Sequence, residues 1–133
     1  MSAGSNILVV EDNKDSRDLV DYLLRAGGYA PRMAAGGVEG LKMALEEPPD
    51  LILMDLRMPD MDGYEVAAAL KGRAELALTR IVVVTASAMV EDRKRIADAG
   101  FDGYIQKPID PEAFVEQVRQ FLTAAPATPS ARL

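Results

Sequence analysis

Acidic, hydroxyl and ammonium side chains follow directly after four apolar runs that have the length of β-strands. In the stretch LILMD, for example, Asp55 ends a run of core-forming residues. A buried, unpaired carboxylate is costly, so a charge at this position indicates a site rather than a packing accident. The side chains that follow the four runs are Glu11, Asp12, Asp55, Thr85 and Lys107.

These groups could together bind a hard metal ion and a phosphoryl group. Carboxylates that are brought together repel one another, and Mg²⁺ offsets this repulsion because it binds carboxylates, water and phosphate oxygens. Lys107 would supply a second positive charge and Thr85 a hydroxyl donor, and such groups stabilise a phosphoryl group during transfer. Asp55 would then be the nucleophile and would form an acyl phosphate.

The positions of these residues depend on an alternation of strand-like and helical segments. Continuous apolar runs predict strands at 7–10, 51–54 and 81–84, with weaker ones at 31–35 and 103–106. The five βα units predict an α/β fold with a parallel sheet, right-handed crossovers and helices on both faces. Ligands of such sheets bind at the carboxyl ends of the strands, where all the candidate residues would meet.

The helical segments between the strands each carry an apolar stripe, apart from the more polar segment at 90–100. Their ends are marked by glycine or proline, and Asp110 with Pro111 predicts the start of the last helix. The predicted stripes are Leu19, Leu23 and Leu24; Val38, Leu41 and Leu45; Val66, Ala67 and Leu70; and Phe114, Val118 and Phe121.

Composition excludes several classes of function. The chain of 133 residues has neither histidine nor cysteine, which excludes Ser–His and Cys–His nucleophilic catalysis, zinc sites of the usual ligands and histidine-bound haem. A net charge of −6 without a dominant basic patch argues against nucleic-acid binding. The chain has no apolar run of membrane-spanning length and no signal peptide, so we expect a cytoplasmic protein without membrane insertion. We expect one domain at 6–122, with flexible tails at 1–5 and 123–133.

Four motifs together resemble the response-regulator receiver domain of two-component signalling. They are ILVVEDN, LILMDLRMPDMDGYE, IVVVTAS and GYIQKPID, in this order, and the resemblance spans roughly Asn6 to Leu122. The resemblance implies a flavodoxin-like (βα)5 fold with strand order 2-1-3-4-5. It also implies a cis peptide bond between Lys107 and Pro108.

The resemblance assigns a role to each matching position. Asp55 corresponds to the phosphoacceptor, Lys107 to the catalytic lysine, and Thr85 and Tyr104 to the switch residues. Mg²⁺ or Mn²⁺ would be bound by Asp12, Asp55, the backbone carbonyl of Arg57 and, through water, Glu11.

The implied function is that of a stand-alone receiver, a monomer or weak dimer. The phosphoryl group would come from a phosphohistidine on a histidine kinase or histidine phosphotransfer protein. The fourth helix, fifth strand and fifth helix would form the face that binds a downstream protein. We expect no turnover of an external substrate.

Three alternatives are considered beside this interpretation. A phosphatase of the haloacid-dehalogenase type would need an acid two residues after the nucleophile, where Arg57 stands. A phosphorylation-independent pseudo-receiver adaptor would not need the complete set of acidic, hydroxyl and lysine residues. A phosphate sink, which drains phosphoryl groups from a shared kinase, has the same sequence requirements as a signalling receiver. The sequence therefore leaves the phosphate sink open as an alternative.

Overall fold

A computed structural model of the chain describes residues 5–86 and 90–123, without the side chains of residues 90 and 91. Of the two expected tails, only Ser5 and Thr123 fall within these ranges, so the prediction of flexible tails is untested. The elements in chain order are β1 (Ile7–Val10), α1 (Lys14–Ala26), β2 (Arg32–Ala34), α2 (Gly37–Glu46), β3 (Leu51–Asp55), α3 (Gly63–Leu70), a 3₁₀ turn (Ala74–Leu76), β4 (Arg80–Thr85), α4 (Val90–Asp98), β5 (Gly103–Gln106) and α5 (Pro111–Thr123).

The five strands form one parallel sheet in the order β2-β1-β3-β4-β5, which confirms the predicted fold class and strand order. The register aligns Val10 of β1 with Met54 of β3, and Asp55 of β3 with Val84 of β4. Strand order reverses between β1 and β3, so the carboxyl ends of these two strands border the crevice where ligands of open α/β sheets bind.

Alternate residues of each strand pack into separate cores on the two faces of the sheet. On one face, Leu8, Ile52 and Val83 pack with residues of α2, α3 and α4. On the other face, strand residues such as Val9 and Leu53 pack with α1 and α5. Burial on both faces explains why the central strands are continuous apolar runs in the sequence.

Two predicted stripe residues lie outside the core. Leu19 is 39% exposed, because α1 buries the face that carries Val20, Leu23 and Leu24. Val38 is 58% exposed, so its prediction as a core-facing residue of α2 is also wrong.

Helix α2 packs most closely through small side chains, with the predicted Leu41 and Leu45 at the margin of the core. Its buried residues are Gly37, Gly40 and Ala44, while Leu41 and Leu45 are only partly buried. A Cβ on Gly40 would press against the side chain of Val10, so the helix approaches β1 closely because that Cβ is absent. Of the predicted stripe, Leu41 and Leu45 contact the core, whereas Val38 does not, because the helix rests on its small residues.

The loop between β3 and α3 supplies the N-terminal caps of two helices. Asp62 caps its own helix α3, where its side chain and that of Glu65 form a reciprocal capping box. Asp60 instead caps α2, since its carboxylate accepts hydrogen bonds from the backbone N–H groups of Gly37 (3.1 Å) and Val38 (3.1 Å). The loop that follows Asp55 is therefore attached to both neighbouring helices.

Among the helices in residues 5–86 and 90–123, none combines the length and the hydropathy that a membrane-spanning segment needs.

Candidate functional site

Three carboxylates meet at the carboxyl ends of β1 and β3. Glu11, Asp12 and Asp55 each place one oxygen within 4.8 Å of the others, a spacing at which a single metal ion can bind all three. The burial of these residues differs, since Glu11 is only 5% exposed whereas Asp12 lies open to solvent. The sequence predicted this cluster, and the strand register produces it.

Lys107 joins two of the acids. Its Nζ lies 2.9 Å from Oε1 of Glu11 and 3.1 Å from Oδ2 of Asp55. The lysine follows β5, which is two strands away from β3, so its side chain reaches across the end of β4. The Lys107–Pro108 peptide bond is cis, as expected from the resemblance.

The electrostatics of the site leave it short of positive charge. Three carboxylates and one ammonium, all ionised, carry a net charge of about −2, which a divalent cation would balance. Burial raises the pKa of Glu11 despite the hydrogen bond from Lys107, and the charge of Asp55 adds to this rise. Burial opposes the charged form of Lys107, but its hydrogen bonds and charge interactions with Glu11 and Asp55 outweigh burial and raise its pKa. Lys107 is therefore an ammonium at neutral pH.

Hydrogen bonds to backbone groups hold the loop from β1 to α1. Asn13 caps α1, since its side-chain oxygen accepts a hydrogen bond from the N–H of Ser16 at 2.9 Å. The backbone N–H of Asn13 donates to the side-chain carboxylate of Glu11 at 3.1 Å. Arg17 donates from Nη1 to the carbonyl oxygens of Glu11 and Asp12, at 3.0 Å each. These contacts fix the backbone on which two of the three acids stand.

The other predicted site residues lie at or near the same edge. The N–H of Arg57 donates to Oδ1 of Asp55 at 3.2 Å. Thr85 ends β4 and is 2% exposed, and its carbonyl accepts a hydrogen bond from the N–H of Lys107 at 2.8 Å. Tyr104 pairs with Val83, and Thr85 pairs with Gln106 on the same two strands. Because paired residues share a face and side chains alternate, Thr85 and Tyr104 lie on the same side of the sheet.

Tyr104 is half-buried beneath helix α4. The guanidinium of Arg93 lies 5.9 Å from the centre of its ring, and that of Arg95 lies 4.2 Å from the ring of Tyr64 on α3. Tyr64 in turn contacts Phe101 edge to face. Cation–π contacts of this kind are modest in energy, and α4 is also anchored by Ile96, which is buried in the core.

Sequence analysis did not assign roles to Arg17, Asn13 or the cap that Asp60 provides to α2. Asn13 had a usable signal, since asparagine before a helical stripe is a common N-cap. Arg17 had none, and the sequence marks Asp60 as a loop or N-cap residue without showing that it caps α2, because the partners of both are backbone groups that any residue provides.

Comparison with known proteins gives a consistent assignment. A family model described as the response regulator receiver domain matches residues 7–119. The polar-differentiation response regulator DivK of Brucella ovis is 39% identical over 117 residues, which cover 88% of this chain and 95% of the relative.

Solved structures agree with this match. The chemotaxis protein CheY4 of Vibrio cholerae superposes with a TM-score of 0.84 at 29% identity. The match covers 90% of this chain and 100% of the CheY4 chain. The receiver domain of the sensor histidine kinase PA1611 from Pseudomonas aeruginosa, with a magnesium ion coordinated in its active-site cleft, superposes with a TM-score of 0.83 at 30% identity. It covers 92% of this chain and 100% of its own.

Proposed function

Because the chain belongs to the response regulator receiver domain family, we propose that it accepts a phosphoryl group on Asp55 in a Mg²⁺-dependent reaction and signals through protein contacts. The observation that carries this proposal is the shared ion pair of Lys107 with Glu11 and Asp55 at the strand ends. Lys107 Nζ thus lies within 3.1 Å of a carboxylate oxygen of Asp55, the proposed nucleophile, and of Glu11, and Asp12 completes the acid cluster within 4.8 Å.

The acid cluster fits a hard divalent cation, Mg²⁺ or Mn²⁺. Its oxygens converge, it offers no nitrogen or sulfur ligand, and its net charge of about −2 matches the charge of such an ion. Asp12 and Asp55 would bind the cation directly, Glu11 through water, and Arg57 through its backbone carbonyl. When bound, the cation neutralises charge on the phosphoryl oxygens.

Phosphoryl transfer then follows from the groups present. An oxygen of the Asp55 carboxylate attacks the phosphorus of a phosphohistidine on a histidine kinase or phosphotransfer protein. The new P–O bond forms as the P–N bond breaks, and the imidazole nitrogen leaves with the bonding electron pair and takes up a proton. Lys107 already contacts Asp55 and neutralises charge on the transferred group, while the Thr85 hydroxyl can donate to it.

Hydrolysis resets the site. Water attacks the phosphorus, the P–O bond to Asp55 breaks, and inorganic phosphate leaves as the carboxylate is restored. The chain would thus turn over only its own acyl phosphate and no external substrate. The cytoplasmic location expected from the sequence and a monomeric or weakly dimeric state remain predictions.

The partner-binding face would consist of α4, β5 and α5. Movement of Thr85 toward the phosphoryl group vacates space on the face of the sheet that Tyr104 shares, and an inward turn of Tyr104 would end its contact with Arg93. Two arrangements of this face, with different affinities for a protein partner, are what a phosphorylation switch requires.

The test is intact-mass spectrometry of the purified chain after incubation with acetyl phosphate and Mg²⁺. We expect one added phosphoryl group, which is absent in Asp55→Asn and in the presence of EDTA. Asp50→Asn is the matched control, since Asp50 precedes the same strand at its opposite end and should leave labelling unchanged. If no adduct appears, Mg²⁺-dependent binding of beryllofluoride would indicate rapid hydrolysis, whereas no binding would contradict the proposal and favour a pseudo-receiver.

A further inference from the structure

Asp12 differs from the other two acids in how its carboxylate is held. Glu11 accepts hydrogen bonds from Lys107 and Asn13, and Asp55 accepts them from Lys107 and Arg57. Across residues 5–86 and 90–123, by contrast, the Asp12 side chain has no hydrogen bond or ion pair. Without such a partner, the carboxylate is constrained mainly by the direction of the Cα–Cβ bond, which the backbone sets.

Arg17 holds that backbone on both sides of the Asp12 Cα. The carbonyl of Glu11 belongs to the peptide unit before this atom, and the carbonyl of Asp12 belongs to the unit after it. Nη1 of Arg17 donates to both oxygens at 3.0 Å. Fixing two consecutive peptide planes fixes the φ and ψ of the residue between them, and with these the direction of its Cα–Cβ bond.

Arg17 is itself anchored where it can act in this way. It lies in the first turns of α1, and its backbone N–H donates to the carbonyl of Asn13 at 2.9 Å. Arg17 therefore contacts the loop with its backbone N–H as well as with its guanidinium. The side chain is half-buried, which limits the alternative directions it could take.

We propose that Arg17 is a positioning residue for the divalent cation, because it orients Asp12 toward the acid cluster through two backbone carbonyls. The inference rests on the proposed function, since it assumes that the cluster binds Mg²⁺. Arg17 would therefore increase the affinity of the acid cluster for a cation, although the residue is itself positively charged.

The sign of the effect separates this role from simple electrostatics. Removing a positive charge near the cluster would strengthen Mg²⁺ binding if charge were the only contribution. Loss of orientation would weaken binding, and the removal of groups that orient metal ligands typically costs about 10-fold to 100-fold in affinity.

The experiment is isothermal titration calorimetry of the full chain with MgCl₂, comparing wild type, Arg17→Met, Arg17→Lys and Arg25→Met. We expect about a 10-fold weaker Kd for Arg17→Met and partial recovery in Arg17→Lys, whose ammonium keeps donors for the carbonyls. Arg25 lies on the same helix in an exposed pair with Asp21, so Arg25→Met controls for the lost charge and should leave the Kd within about twofold.

A second readout separates binding from chemistry. Labelling by acetyl phosphate in Arg17→Met should return to the wild-type rate at saturating Mg²⁺. Far-UV circular dichroism and urea unfolding in EDTA would check the fold, and Arg17→Gln would replace Arg17→Met if the latter did not fold.

Wild-type affinity, or tighter binding, in folded Arg17→Met or Arg17→Gln would overturn the inference while leaving the proposed function intact. Absence of Mg²⁺ binding in the wild type would contradict the proposed function and this inference together.

Discussion

At the residue scale, the candidate site depends on one ammonium group that two carboxylates share. Lys107 is 22% exposed at its side chain and lies between Glu11 and Asp55, which are more buried. It therefore screens repulsion between the acids, and it would compete with a bound cation for the same oxygens. Substitution of this lysine should separate metal binding from phosphoryl transfer.

We expect Lys107→Met to bind Mg²⁺ more tightly than the wild type and to be labelled by acetyl phosphate about 100-fold more slowly. Binding tightens because the acid cluster loses its only ion-pairing cation among the described residues. Transfer slows because the donor to the phosphoryl group is lost. Calorimetry and time-resolved intact mass measure the two effects, with the exposed Lys42→Met as the control. Equal losses of binding and rate would show that Lys107 only maintains the structure of the site.

At the element scale, the loop after β3, the strand that carries the proposed phosphoacceptor, is attached to helix α2. Helix α2 begins after Gly36, whose missing side chain cannot cap it, and Asp60 provides the cap from a distance of more than 20 residues in sequence. A Cβ on Gly37 would collide with the carbonyl of Met61, so the glycine permits this close approach. The cap thus holds the loop that bears the Arg57 carbonyl.

The cap should give stability a specific pH dependence. Hydrogen bonds from the N–H groups of Val38 and Gly37 lower the pKa of Asp60 below its ordinary value of 3.8. A carboxyl group with a lowered folded pKa contributes stability that is present above its unfolded pKa and is lost as pH falls through its folded pKa. We therefore expect Asp60→Ala to lower the urea midpoint at pH 6 to 7, with the difference from wild type shrinking as the pH falls below 3.8 and through the lowered pKa of Asp60.

Glu46→Ala is the control for this measurement. Glu46 is exposed in the last turn of the same helix, where a negative charge is unfavourable, so its removal should not destabilise the protein. A difference between wild type and Asp60→Ala that did not change with pH would contradict the assignment of Asp60 as a charged cap.

At the scale of the whole molecule, three carboxylates that repel one another lie at the edge of a well-packed sheet. The strands beneath them are buried in two cores, which together hold the carboxyl ends of β1 and β3 side by side. Packing therefore imposes the proximity of Glu11, Asp12 and Asp55, and a bound cation should stabilise the whole fold.

We expect Mg²⁺ at 100 times its Kd to raise the free energy of unfolding by about 2.7 kcal/mol. Asp12→Asn should lose most of this gain, yet in EDTA it should be at least as stable as the wild type, because one repelling charge is removed. Urea unfolding with Mg²⁺ and with EDTA measures both effects. A wild type whose stability does not respond to Mg²⁺ would argue against a metal site at this edge.

The sequence by itself determined the parallel α/β fold, the order of its elements and the residues at the strand ends. These features depend on neighbouring residues, since buried parallel strands require continuous apolar runs and an acid such as Asp55 must directly follow its strand. The resemblance of the motifs then supplied the strand order and the site roles, of which the strand order is confirmed.

Only the tertiary structure decided which distant groups meet. Lys107 contacts residues that lie 96 and 52 positions away, Arg17 and Asp60 bind backbone groups that carry no sequence signal, and α2 buries glycines instead of Val38. Periodicity records how polar each side chain is, but packing of the whole chain determines how closely two elements approach and which donor reaches which acceptor.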